Sequence, residues 1–170
     1  MRRKQVLVVG FGRDHCPDDA YKVAYRVGVE VARRGALLLT GGLGGVMEAA
    51  SRGAKEAGGF VIGIIPQDSK SHANEFCDAV VATGIGFARD FITANSADAI
   101  VVVGGGAGTL IEVAAAYQKN IPIVAVRKTG GIADQIVDTY IDDRKSILIT
   151  GEDTAEKAVD RALAKAGLPR

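Results

Sequence analysis

Short runs of valine, leucine and isoleucine alternate along the whole chain with longer segments that have helical periodicity. The short runs are continuously apolar, which is typical of strands covered on both faces of a sheet. The pattern predicts strands at 6–9, 36–40, 61–65, 79–82, 99–103, 123–126 and 146–149. It predicts helices at 18–34, 45–57, 87–96, 109–119, 132–138 and 153–166.

This alternation of strands and helices implies parallel pairing through right-handed crossovers. We therefore predict an α/β protein with three layers, α/β/α, around a mostly parallel sheet of about seven strands. At 170 residues, with no linker or shift in composition, residues 1–170 are expected to form a single domain. The expected strand order is 3-2-1-4-5-6-7.

One eight-residue glycine pattern occurs twice, each time directly after an apolar strand. The copies are GGLGGVME, Gly41 to Glu48, and GGAGTLIE, Gly105 to Glu112. Each places free backbone N–H groups and the positive end of a helix dipole at one point. Tight strand-to-helix turns use glycine for packing alone, but two such copies favour a phosphorylated or anionic ligand. We expect both loops to meet at the carboxyl edge of the sheet, where the strand order reverses.

Composition and motifs exclude several other classes of protein. The net charge of +1 gives no general attraction to nucleic acid or to anionic membranes. No apolar run approaches the ~20 residues of a membrane span, so we expect a cytoplasmic protein. Gly10-Phe11-Gly12 begins like a dinucleotide fingerprint, but His15 stands where the third glycine belongs, and no P-loop is present. The histidines and cysteines lack metal-ligand spacing, so no metal site is expected.

The glycine motifs also carry a resemblance to a known family. GGLGGVMEAASRGAKEAGGFVIGIIP, Gly41 to Pro66, resembles the GGGxxGxMxxxAxxAxxxGGxVxGxIP region of the LOG proteins, long mislabelled lysine decarboxylases. GGGAGTLIE, from Gly104, resembles their PGGxGTxEE motif. RDFITANSADAIVVVGGGAGTLIE, from Arg89, is closer still to the branch that includes the molybdenum cofactor carrier proteins. The resemblance spans about residues 5 to 126.

The resemblance implies a Rossmann-like fold, usually dimeric, with a nucleotide-like ligand at the carboxyl ends of the strands. LOG enzymes hydrolyse the bond between a base and ribose 5′-monophosphate, and their motif arginine and last glutamate correspond to Arg89 and Glu112. These two residues are predicted to be catalytic only if the protein is a hydrolase. The predicted ligand- and phosphate-binding residues are Gly10, Gly12, Gly41, Gly42, Gly44, Gly45, Met47, Gly105, Gly106, Gly108 and Thr109. Further pocket candidates are Glu48 and Asn95.

Three departures from the enzyme motifs shift the balance between binding and catalysis. Gly104 stands where the enzymes have proline, Ile111 replaces the first of two glutamates, and Asp90 replaces a basic residue. Loss of a carboxylate weakens hydrolysis while it spares a cradle made of backbone. We therefore favour a carrier or sensor of a phosphorylated ligand, either a nucleoside monophosphate or a pterin of the molybdenum-cofactor type. The alternative is a nucleoside 5′-monophosphate phosphoribohydrolase.

No cofactor is expected to be required beyond such a bound nucleotide, phosphate or molybdopterin-type ligand. The predicted partners are a small phosphorylated molecule and a second copy of the chain, without nucleic acid or membrane. Helices 87–96 and 109–119 are rich in small apolar residues, which suit close helix contacts. With the family resemblance, this favours a homodimer, two of which could pair into a homotetramer.

Overall fold

The computed structural model describes residues 2–167, which form a seven-stranded parallel sheet between two layers of helices. The strands are β1 (Gln5–Gly10), β2 (Leu37–Thr40), β3 (Val61–Ile65), β4 (Ala79–Ala82), β5 (Ala99–Val103), β6 (Ile123–Val126) and β7 (Thr150–Glu152). The helices are α1 (Asp18–Arg33), α2 (Val46–Glu56), α3 (Arg89–Asn95), α4 (Ala107–Gln118), α5 (Gly131–Ile136) and α6 (Ala155–Ala166). Short 3-10 turns occur at Arg13–His15, Lys70–His72 and Gly86–Ala88. The predicted fold class is confirmed.

Side chains alternate across the sheet and form two separate cores. Along β1, Val6 and Val8 face α1, α2 and α6, whereas Leu7 and Val9 face α3, α4 and α5. All four side chains are almost fully buried, which explains the continuously apolar strands. Helices α1 and α2 pack especially closely, because a Cβ added at Gly28 would overlap the carbonyl oxygen of Ala50.

The predicted strand order was wrong at β4. The observed order is β4-β3-β2-β1-β5-β6-β7, so β4 extends the edge beside β3 and β1 pairs directly with β5. The connection from β3 to β4 contains only the 3-10 turn Lys70–His72, so the chain returns next to β3 without a long crossover helix. Val81 of β4 is 48% exposed, as suits an edge strand, whereas every residue of β5 is buried.

The last strand was also predicted wrongly, at 146–149. Ile149 is fully buried, but it forms only an isolated antiparallel bridge with Thr139. Parallel pairing with β6 begins one residue later, where Thr150 lies opposite Val124. Within the segment Ile149 is buried in the core and Leu148 is 37% exposed, whereas the more polar residues Thr150–Glu152 form the strand.

No helix within residues 2–167 combines the length and the apolar character that crossing a bilayer requires.

Candidate functional site

A cavity of about 500 Å³ lies at the carboxyl edge of the sheet, where β1 and β5 are neighbours. The chain leaves β1 toward α1 on one face and leaves β5 toward α4 on the other. This reversal opens a crevice in which open α/β sheets bind their ligands. The cavity is lined by Val8, Val9, Gly10, Phe11, Gly12, His15, Gly41, Met47, Phe87, Arg89, Asp90, Gly106, Gly108, Thr109 and Glu112.

The second glycine loop opens onto this cavity. Gly104 and Gly105 have φ of 62° and 99°, so the chain can turn sharply between β5 and α4. Gly106 and Gly108 are exposed and line the cavity, and the first backbone N–H groups of a helix have no acceptor within it. The start of α4 therefore offers N–H donors and a positive helix dipole to an anion.

Two backbone hydrogen bonds from the start of α5 hold this loop in place. The backbone N–H of Ala133 donates to the carbonyl of Gly104 at 3.1 Å, and that of Ile132 donates to the carbonyl of Gly105 at 2.9 Å. Both carbonyl oxygens are thus engaged outside the cavity lining. The hydroxyl of Thr109 donates to the carbonyl of Gly10 at 3.0 Å, which ties the first turn of α4 to the end of β1.

The first glycine loop is not equivalent to the second. The backbone N–H of Val46, the first residue of α2, donates to the carbonyl of Phe11 at 2.9 Å. A carbonyl of the protein itself therefore caps the N-terminus of α2. Only Gly41 and Met47 of this motif line the cavity.

Asn74 ties down the remainder of the first loop. Its backbone N–H donates to the carbonyl of Gly42 at 2.8 Å, and its Nδ2 donates to the carbonyl of Leu43 at 2.9 Å. Glycine at 41 serves a steric purpose, because an added Cβ would overlap the guanidinium of Arg89. The first motif builds a wall of the cavity and makes room for this arginine.

Three buried ionisable side chains line one part of the cavity, which we call its floor: Arg89 and Asp90 from α3, and Glu112 from α4. They are 8%, 5% and 9% exposed, respectively. Nη1 of Arg89 donates to the carbonyl of Ile64 at 2.9 Å. Nε of Arg89 lies 3.2 Å from Oδ1 of Asp90, an ion-pair contact without hydrogen-bond alignment, so within residues 2–167 this Nε has no acceptor.

Burial raises the pKa values of both carboxyl groups in the floor. Desolvation raises the pKa of Glu112 to about 8, and the Asp90 carboxylate adds to this, while Arg89 opposes it. Desolvation also raises the pKa of Asp90, again opposed by Arg89. At neutral pH the Glu112 carboxyl accordingly keeps its proton and can donate a hydrogen bond or act as a general acid.

The cavity lining brings together nine of the sequence-predicted residues: Gly10, Gly12, Gly41, Met47, Arg89, Gly106, Gly108, Thr109 and Glu112. Six others lie outside the lining: Gly42, Gly44, Gly45, Glu48, Asn95 and Gly105. The Glu48 carboxylate lies 3.6 Å from Arg13 on the surface. Asn95 is exposed at the far end of α3, of which only Arg89 and Asp90 line the cavity.

Several lining residues were not predicted as site residues: Val8, Val9, Phe11, His15, Phe87 and Asp90. Phe87 has the clearest signal in the sequence, because an aromatic residue directly follows Gly86 at the start of a predicted helix. It is 84% exposed at the cavity. Burial of Asp90 depends on the packing of α3 against α4, which no local pattern indicates.

Phe11 accounts for one of the departures from the LOG motif. Its ring lies against Gly104, where an added Cβ would overlap the aromatic edge. The proline of the enzyme motif cannot occupy position 104 while this ring stays in place. Phe11, which lines the cavity, therefore packs directly against Gly104.

Comparison with known proteins agrees with this architecture. The sequence profile of the SLOG cluster4 family matches residues 3–159. An uncharacterised protein of Archaeoglobus fulgidus is 42% identical over 127 residues, which are 75% of this chain and 82% of that protein. The molybdenum cofactor carrier protein of Chlamydomonas reinhardtii is similar in structure, with a TM-score of 0.82 and 33% identity, over 96% of this chain and 99% of that one.

A cytokinin riboside 5′-monophosphate phosphoribohydrolase of Mycobacterium tuberculosis is more distant. It is 33% identical over 94 residues, which are 54% of this chain and 50% of the enzyme, so the match spans half of that enzyme's length. The profile match covers most of the present chain, and the carrier protein matches nearly all of it. The chain therefore belongs to the SLOG cluster4 family, a LOG-like Rossmann family with molybdenum cofactor carrier proteins among its structural neighbours.

Proposed function

We propose that the protein binds a phosphorylated, nucleotide-like small molecule in this cavity and acts as its carrier or sensor. The observation that carries the proposal is the open first turn of α4, where Gly106 and Gly108 border the cavity without side chains. A phosphate there would meet backbone N–H donors and the positive end of the helix dipole. A volume of about 500 Å³ is within the range of small-molecule sites.

The class of ligand is inferred from chemistry and from the relatives. Phe11 and Met47 supply apolar surface for a flat ring, and Arg89 supplies donors for phosphate or sugar oxygens. The Chlamydomonas relative carries the molybdenum cofactor, and the mycobacterial relative acts on a nucleoside monophosphate. We therefore propose a nucleoside monophosphate or a pterin phosphate of the molybdenum-cofactor type.

Hydrolysis of a nucleoside 5′-monophosphate is the second candidate, and the acid–base character of Glu112 favours it. A protonated carboxyl could donate to the leaving base while Arg89 holds the sugar phosphate. Ile111 is 38% exposed on α4 and does not line the cavity, so its substitution leaves the cavity floor unchanged. Against hydrolysis, Asp90 adds a second acid beside Arg89, which competes with the ligand for the guanidinium.

One experiment separates the two candidates. Purified protein is incubated with AMP, GMP, CMP, UMP and IMP, free base is quantified by chromatography, and gently denatured protein is analysed by mass spectrometry. The carrier proposal expects no base release and a co-purifying phosphorylated compound. Base release by the wild type, lost by orders of magnitude in both Arg89→Ala and Glu112→Ala, would establish the hydrolase instead.

We further propose that the functional unit is a homodimer formed through α3 and α4. The only charged residue of α4, Glu112, is buried, so the outer face of this helix carries no charge. Phe91, Ile92 and Leu110 are 54%, 42% and 41% exposed on these two helices. An exposed apolar face of this kind is typical of a protein interface, and the same face of a second copy of the chain could pack against it.

Light scattering tests the dimer, because one chain has a mass of 17.7 kDa. We expect twice this mass for the wild type, or four times if two dimers associate, and a monomer for Phe91→Glu. Ala164→Glu, which adds the same single negative charge at an exposed position of α6, is the matched control and should keep the wild-type mass. A monomeric wild type at micromolar concentration contradicts the dimer.

A further inference from the structure

Asp90 is the most buried charged residue of the cavity floor, and neither candidate function gives it a role. It lies in the first turn of α3, next to Arg89, and is 5% exposed. Glu112 lines the same cavity from α4, which packs against α3. The floor thus combines two carboxyl groups with one guanidinium.

The balance of charge determines which of the two carboxyl groups in the floor is ionised. One arginine can neutralise one carboxylate, and Nε of Arg89 is 3.2 Å from Oδ1 of Asp90. A second ionised carboxylate in the same buried place would repel both Asp90 and an incoming phosphate. The contact with Arg89 favours Asp90 as the ionised member of the pair, which leaves Glu112 as the neutral one.

We propose that Asp90 is a positioning residue that keeps a proton on Glu112, so that the cavity takes up its anionic ligand only together with that proton. This inference rests on the proposed function, because it assumes a phosphorylated ligand. The pKa of Glu112, which is raised first by desolvation and further by the Asp90 charge, agrees with it. The neutral carboxyl then becomes a hydrogen-bond donor toward an oxygen of the ligand instead of a repelling charge.

Few other charged groups face this pair. Among the residues described, the other ionisable side chains of the cavity lining are Arg89 from α3 and His15 from the 3-10 turn after β1. Helix α2 contributes Met47 to the lining, and its Glu48 lies beside Arg13 instead. His15 is therefore the site of the control substitution.

The proposal predicts a specific pH profile of affinity. If binding requires one proton on Glu112, affinity is constant up to about pH 8 and falls about tenfold per pH unit above it. Glu112→Gln is permanently neutral, so its affinity stays flat across this interval. Asp90→Asn frees Arg89 to pair with Glu112, which then ionises at lower pH, so the break moves down or disappears.

Calorimetric titration with AMP between about pH 7 and pH 9.5 measures these profiles, with the phosphate dianionic throughout. Ribose 5-phosphate serves as a second probe, because it has no glycosidic bond to hydrolyse. His15→Asn is the control and should keep the wild-type break. A wild-type affinity without a break, or a break that persists in Glu112→Gln, overturns the proposal.

Infrared spectroscopy of the protein without ligand provides the independent arm. The carbonyl band of a protonated buried carboxyl should be present at pH 7, vanish around pH 8 to 9, and be missing in Glu112→Gln. Absence of this band at pH 7 overturns the proposal even if AMP binds. In Asp90→Asn the band should vanish at a lower pH than in the wild type. If it does, but neither AMP nor ribose 5-phosphate binds to the wild type, the proposed function is refuted while the effect of Asp90 on Glu112 stands.

Discussion

Replacing Glu112 by glutamine should make the protein more stable, increasingly so as the pH rises from about 5 to 8. The pKa of Glu112 is raised by burial to about 8 in the folded state, from an ordinary value of 4.5. Between these values the unfolded chain loses a proton that the folded protein keeps. Stability of the wild type is therefore greatest below the lower value and declines as the pH rises toward the higher one.

The magnitude follows from the size of this shift. One pKa unit corresponds to about 1.4 kcal/mol, so ionisation of the unfolded chain costs the wild type on the order of 3 kcal/mol of stability at pH 7 and about 4 kcal/mol at pH 8. Glutamine does not titrate and has nearly the same shape. Because Glu112 is only 9% exposed, solvent screening reduces this effect little.

Urea denaturation at fixed protein concentration, near pH 5, 7 and 8.5, measures the effect. The difference in unfolding free energy, Glu112→Gln minus wild type, should grow by several kcal/mol across this series while the denaturant slopes stay equal. A constant offset from the new amide group does not affect this trend. Parallel stability curves for the two proteins would refute the assignment of a buried, protonated Glu112.

Two further perturbations test packing and loop geometry. Gly28→Ala should cost about 1–3 kcal/mol of stability in thermal unfolding, because the new Cβ would overlap the carbonyl of Ala50 between α1 and α2. Gly12→Ala is the control and should be near neutral, because its Cβ would lie in open space. Thr109→Val removes the hydroxyl that donates to Gly10, so we expect a loss of about 1 kcal/mol in chemical denaturation and weaker AMP binding; unchanged values for both would show that this link between β1 and α4 is unimportant.

The chain's local patterns were enough to predict most elements and the fold class. Every α-helix lies within two residues of its predicted bounds, and β3 to β6 match theirs, because each apolar run ends at glycine, proline or polar residues. The position of β4 could not be predicted, since its four residues carry no signal that distinguishes an edge from a centre. Which strand β4 pairs with is determined by contacts between parts of the chain that are distant in sequence.

In the candidate site, too, features set by local sequence could be predicted, whereas contacts between distant parts of the chain could not. The second glycine loop lines the cavity as the sequence indicates, because its geometry is local. The first loop looks equal in sequence, yet the carbonyl of Phe11 caps its helix, a contact between backbones distant in the chain. Asp90 follows Arg89 directly in the chain, but its burial arises only in the folded protein.

Ligand binding at the start of α4 is the central claim, and calorimetry on one pair of variants tests it most directly. A Cβ added at Gly106 would meet no other atom within 4 Å, and Gly106 lines the cavity, so Gly106→Val should fold normally and place a side chain where the phosphate would lie. Ala107→Val adds comparable bulk one residue further on, outside the cavity lining, and is the matched control. We predict that the wild type and Ala107→Val bind at least one of AMP, GMP, CMP, UMP and IMP, and that Gly106→Val binds none. Equal affinity of Gly106→Val and the wild type would contradict the account.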